Sequence, residues 1–438
     1  MTDEVPEALG RAVDAAVDPD ALLDTLAVLT AGPSPYGREH ATARRLAAFA
    51  ADRWPHLSWR VDPLPAVDGL PDAANLVASC THGDADELLL YSHLDTSLTG
   101  DPGFDAAVTG HDGPVPALRR QVGPDAVVDG FGLGVARAAA ASALVGFVAA
   151  ATALRDRGVP HRLTLLLAAA GTHRHLPDDP AGQVAGGVAY HLDHLSAPAA
   201  AVVAKSGPPG ILTAEPGAMF LRVRLQTRHH PVLARDTAVP PGGLIMNLAP
   251  VLAALETFRR AHLDARADRS DQVGAEVGVG SVGAGRPGKP DLLPGRLDLH
   301  LYLVTIPGDE PDTIVADLRD TLTRALADTP LRDCVLDVAG WPVHSAAATP
   351  IDAPISRHAH AAWQAVHHAP PTPIRGWTGS TDGVVLRGRG VPTVRLGPAP
   401  LVGDPDDPRR DRYEVAELVR FARLYARIAV HSSTASTD

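Results

Sequence analysis

Cysteine, lysine and long apolar runs are all scarce in this chain of 438 residues. Cys80 and Cys334 stand far apart with no Cys-x-x-Cys spacing, which argues against a disulfide framework or a thiolate zinc site and fits a reducing compartment. There is no Lys/Arg-rich run, and the formal net charge is −12, so non-specific nucleic-acid binding is not expected. Lysine is rare beside arginine. The start, Met1-Thr2-Asp3-Glu4, lacks the basic residues and apolar stretch of a signal peptide. The long uncharged run Ala138 to Leu154 is slightly short for a membrane span and dominated by alanine, so it predicts a buried core helix. These absences predict a soluble, cytoplasmic protein with no membrane partner.

Apolar residues make up 45% and charged residues 21%, and the length predicts two domains. Apolar periodicity predicts helices over 19–31, 38–53, 136–156 and 181–195, with strands at Asn75–Ser79, Glu87–Tyr91, Leu163–Ala168 and Ala200–Lys205. The Gly-, Asp- and Pro-rich segment Thr99–Asp129 reads as a long irregular loop. Beyond Pro208 the pattern changes to two strand–helix pairs, Met219–Gln226 with Leu244–Ala265 and Asp298–Thr305 with Asp312–Ala327. The earlier character returns with a helix near 354–367, a strand at Thr393–Leu396 and a helix near 413–431. The expected architecture is therefore a split α/β domain, 1–213 and 330–438, with an inserted α+β domain, 214–329.

The run Leu88-Leu89-Leu90-Tyr91-Ser92-His93-Leu94-Asp95 ends an apolar strand in His-x-Asp, placing an imidazole and a carboxylate where sites gather in open α/β sheets. Imidazole ligates zinc well, and a nearby carboxylate can hold its other N–H, although a lone His of this kind is more often structural. Further fragments accompany it. Pro33-Ser34-Pro35-Tyr36-Gly37-Arg38-Glu39, Asn75-Leu76-Val77, Asp129-Gly130, Gly132-Leu133-Gly134, Gly379-Ser380-Thr381-Asp382-Gly383 and Val391–Pro398 resemble, in order, the motifs of M20 metallopeptidases and amidohydrolases. The resemblance spans nearly the whole chain. It implies an M20-type catalytic domain, with a central mixed β-sheet flanked by helices, and a lid that forms homodimers.

The resemblance also implies two zinc ions, a bridging Asp, further carboxylates, a late His and a Glu base that deprotonates a metal-bound water. Only His93 matches a direct ligand, with Asp95 as its orienting partner. Arg137 stands where the bridging Asp belongs, followed by Ala138 and Ala139. Gly171-Thr172 replaces the Glu-Glu pair, Ser206-Gly207-Pro208 lacks the next acidic ligand, and 404–411 holds no His. A guanidinium stays charged and repels a dication, so Arg137 is expected in the pocket, paired with Asp95 or Asp382 in place of the ions. No di-zinc pair is expected. A single zinc stays possible, with His173 and His175 as replacement ligands beside His93, although loop histidines are more often solvated. In the lid, His229 aligns with a residue that reaches the partner's site, and Asn247 with a lid Asn; Thr381 and Asp382 are expected to support the pocket wall. Three functions stay open: a cleft repurposed for small carboxylate or amide ligands or metal-independent acyl chemistry, an amide hydrolase with a rebuilt single-metal site, and a non-catalytic partner of an intact paralogue.

Overall fold

Short apolar runs alternating with helices assemble one mixed sheet. The computed structural model describes residues 7–434 apart from 67–69, 97, 110–117, 122–125, 173–185, 196, 234–238, 270 and 402–410. In chain order the main strands are β1 (Ser58–Pro63), β2 (Ala74–His82), β3 (Glu87–His93), β4 (His161–Ala168), β5 (Ala200–Ala204), β6 (Gly217–Gln226), β7 (Glu276–Ala284), β8 (Arg296–Thr305), β9 (Val335–His344) and β10 (Thr393–Leu396). The central sheet runs β1-β2-β4-β3-β5-β10. Strands β3, β4, β5 and β10 are parallel, while β2 is antiparallel to both β1 and β4. The carboxyl ends of the four parallel strands therefore meet along one edge of the sheet.

Strand β3 is apolar through its middle, Leu88 to Leu90, because both of its faces are covered, as parallel strands require. Leu88 and Leu90 pack with residues of the helices Ala138–Asp156 and Val415–Thr434, whereas Leu89 and Tyr91 pack with Val188, Leu192 and Leu386 on the other face. Helix Ala138–Asp156 has the length and composition of a membrane span but is buried in the core, as the alanine content predicts. Its small side chains let the helix Val415–Thr434 approach closely. At Gly146 a Cβ would lie 2.5 Å from the Ala422 carbonyl oxygen.

The second sheet, β7-β8-β6-β9, is wholly antiparallel. Met219, Leu221, Val223 and Leu225 alternate along β6 into a separate core with the helices Leu248–Asp264 and Pro311–Leu326. Two of its four strands were not expected. Strand β7 carries Gly278, Gly280 and Gly283 and is exposed along most of its length, so it shows no apolar alternation. Strand β9 contains Pro342 and lies beyond the expected boundary at 329, yet it pairs with β6. The segment expected as an irregular loop contains a helix, Pro102–Thr109, and a strand, Val127–Gly130.

Candidate functional site

The edge where the parallel strands end carries a chain of buried polar groups. His93 closes β3, and its Nδ1 lies 3.0 Å from both Asp95 Oδ1 and the Asp95 carbonyl. Both oxygens are acceptors, so Nδ1 carries the proton and Nε2 presents a lone pair. Lys205, immediately after β5, places its Nζ 2.6 Å from that Nε2. The ammonium has two further N–H groups, and His93 is its one hydrogen-bond partner among the described residues. Asp95 is fully buried and accepts from the backbone N–H of Gly171 at 2.7 Å and of Thr172 at 2.9 Å, and from the Thr172 hydroxyl. Gly171 packs so tightly on His93 that a Cβ there would meet the His93 Cβ at 2.5 Å. Where the resemblance implies two carboxylates, the turn after β4 instead donates hydrogen bonds to one.

Behind this chain Tyr91 donates to Asp382 Oδ2 at 2.6 Å. Thr381 donates to Glu215, whose other oxygen takes the Arg387 guanidinium, so the Gly379–Gly383 motif is tied to the start of the second unit. Arg395 on β10 is buried; its Nη2 donates to the Ser206 carbonyl at 3.1 Å, and its Nη1 has no hydrogen-bond partner among the described residues. Trp377 covers this guanidinium at 4.8 Å from its ring centroid.

These groups shift one another's ionisation. Burial would raise the Asp95 carboxyl, but His93, Thr172 and the Gly171 amide outweigh it and hold it near a pKa of about 2. Burial and the Arg395 charge lower Lys205 to about 8. Burial raises Asp382 to about 7 against the opposing Tyr91 hydrogen bond, with Asp95 adding repulsion. Burial and the Asp95 charge push Glu39 up to about 8, although its Oε1 accepts from the Gly37 and Ala170 amides. Burial and Lys205 lower His93.

Arg137 corrects the expectation placed on it. The side chain is buried, but its guanidinium donates to the Gly32 carbonyl at 2.8 Å and the Phe131 carbonyl at 3.3 Å rather than to Asp95 or Asp382. It closes the turn that opens helix Ala138–Asp156, and the cation facing His93 is Lys205. His229 lines a groove of the second unit with Arg286, Lys289 and Arg296, and its Nδ1 accepts from the Gly295 amide. Asn247 spends its side-chain amide on the Pro241 and Gly243 carbonyls. His173 and His175 lie outside the described residues, as do Asp404, Asp406 and Asp407. Asp411 accepts from the Gly134 amide. His191 and His358 are both buried.

The residues present do not fit a di-zinc centre. The ring nitrogen that would ligate a metal faces an ammonium, which repels a dication, and amides occupy the position of the acidic ligands. Among the described residues no three His, Cys, Asp or Glu side chains gather in a metal-holding group.

No family model matches the sequence, and no curated protein does. Solved structures do. A tripeptidase from Staphylococcus aureus superposes with a TM-score of 0.65 at 14% identity, covering 95% of this chain and 99% of that one. Human carnosine dipeptidase 1 gives 0.63 at 14% identity, covering 98% of each chain. A dinuclear metal binding peptidase of the M20 family from Bacillus subtilis gives 0.59 at 11% identity, covering 94% of this chain and 97% of that one. The likeness establishes the M20-type fold over almost the whole chain, with a central mixed sheet flanked by helices.

Proposed function

We propose that this chain, built on the fold of M20 hydrolases, uses the polar groups at the carboxyl edge of its central sheet to bind a small carboxylate or amide ligand without a di-zinc centre. One observation carries the reading: Lys205 Nζ stands 2.6 Å from His93 Nε2, so a fixed organic cation faces the imidazole. Its two remaining N–H groups suit a carbonyl or carboxylate oxygen, and charge-assisted bonds of this kind are the stronger ones. Tyr91, Asp95, Thr172 and Asp382 hold the arrangement in register. Metal analysis of protein purified without added zinc, combined with thermal-shift measurements on N-acyl amino acids and short dicarboxylates, tests the reading. Sub-stoichiometric metal, with ligand stabilisation that survives a chelator and disappears in Lys205→Met, is expected. Stoichiometric zinc, with amidase activity lost on chelation, would favour the rebuilt-metal alternative and overturn the proposal.

We further propose that two copies pair through the second unit. Among the described residues strand β7 is paired on one side only, by β8, and presents Val279 and Val282 to solvent; Ile245, Met246 and Leu252 are exposed in the same unit.

A further inference from the structure

Resting on the reading of this sheet edge as a ligand site, we propose that Lys205 holds carbonyl ligands covalently, its ε-amine forming an iminium with a short 2-oxo acid or aldehyde acid. The geometry supplies a relay. Asp95 fixes the His93 Nδ1 proton at 3.0 Å, and Nε2 at 2.6 Å accepts the proton that Lys205 must give up. An orienting carboxylate, an imidazole and a nucleophile in that order is the general arrangement for activating a weak nucleophile.

The choice of residue points the same way. Lysine is used at only two positions, and arginine, which does not lose its proton, fills the remaining basic positions. A site needing only positive charge would be served by arginine; an amine nucleophile requires lysine. Arg395 narrows the ligand class to oxo acids. Its Nη2 binds the carbonyl of the residue after Lys205, its Nη1 is buried without a partner among the described residues, and a guanidinium suits a carboxylate on the same small molecule.

The step balances within the site. His93 Nε2 takes a proton from the Lys205 ammonium, and the free amine adds to the carbonyl carbon to give a carbinolamine. His93 then returns the proton to the carbinolamine hydroxyl, which leaves as water as the C=N bond forms. The products are a protonated imine and water, so charge is conserved and no oxidant or reductant is consumed.

Glyoxylate with cyanoborohydride tests this on the intact folded chain, with peptide mapping of the adducts. The expected result is carboxymethyl-lysine at Lys205, formed at least roughly tenfold faster than at the exposed Lys289, with about a tenfold loss of rate in His93→Gln. Lys205→Arg keeps the charge and is expected to abolish this adduct while leaving Lys289 labelling and thermal stability unchanged. In denaturant both lysines should label alike. A folded protein in which Lys205 stays unmodified, or reacts no faster than Lys289, overturns the inference. If oxo acids or N-acyl amino acids still stabilise such a protein through Lys205, the ligand-site reading stands without the covalent step; if they do not, both fall.

Discussion

At the residue scale the pair His93 and Asp95 was legible because a short motif carries it: an apolar strand ending in His-x-Asp places both groups at the sheet edge. Lys205 was not, since nothing local distinguishes a lysine that ends a strand, and its partner His93 lies 112 positions away. Its rarity in the composition is the one signal that could have found it. Arg137 lies outside the pocket expected for it, because a motif position carries no side-chain direction. Asp382 yields a residue-scale prediction. Its folded pKa of about 7 lies above the ordinary aspartate value, so its contribution to stability is full below about pH 4 and is lost as pH rises through 7. Asp382→Asn cannot ionise, so it should gain about 2–4 kcal/mol on the wild type between about pH 4 and pH 8. Guanidinium unfolding midpoints across that range check this, and a pH-independent difference would contradict it.

At the element scale, the strands with clear apolar alternation or continuous apolar runs were readable, and β7 and β9 were not. Glycines and exposure erase the alternation in β7, while Pro342 masks β9. Tertiary pairing makes them strands, a property that no window of sequence holds. The close approach at Gly146 is likewise invisible locally. Gly146→Ala should improve helix propensity yet destabilise the protein by about 1–3 kcal/mol, because the added methyl meets the Ala422 carbonyl. Chemical denaturation decides the sign, and a stabilised variant would show that the two helices have room. His262 gives the second unit an acid weakness. Burial and the adjacent Arg266 lower its pKa to about 4, so the stability it contributes is full above about pH 6.5 and is lost as pH falls towards 4. His262→Phe keeps a ring against Phe258 and should flatten that loss by up to about 2 kcal/mol, read as the pH slope of the unfolding midpoint.

At the scale of the whole molecule the decisive question is what covers β7. An edge strand with one free row of backbone N–H and C=O groups invites a second strand, and antiparallel pairing of identical edges closes on a two-fold axis without leaving a new edge exposed. Val279 and Val282 are 43% and 50% exposed, an unusual state for β-branched residues on a strand. Ile245 and Met246, at 51% and 77%, add apolar surface in the same unit. A lysine placed on the strand would oppose its own copy across the two-fold axis, burying like charges that repel. Val282→Lys should therefore raise the dimer dissociation constant by at least about tenfold, equivalent to roughly 1.4 kcal/mol, in sedimentation velocity. Its unfolding midpoint, measured at concentrations where both proteins are monomeric, should be unchanged, because the side chain lies outside the core. A wild type that sediments as a monomer at micromolar concentration would remove the pairing proposal and leave the Lys205 proposal, argued from other residues, to its own test.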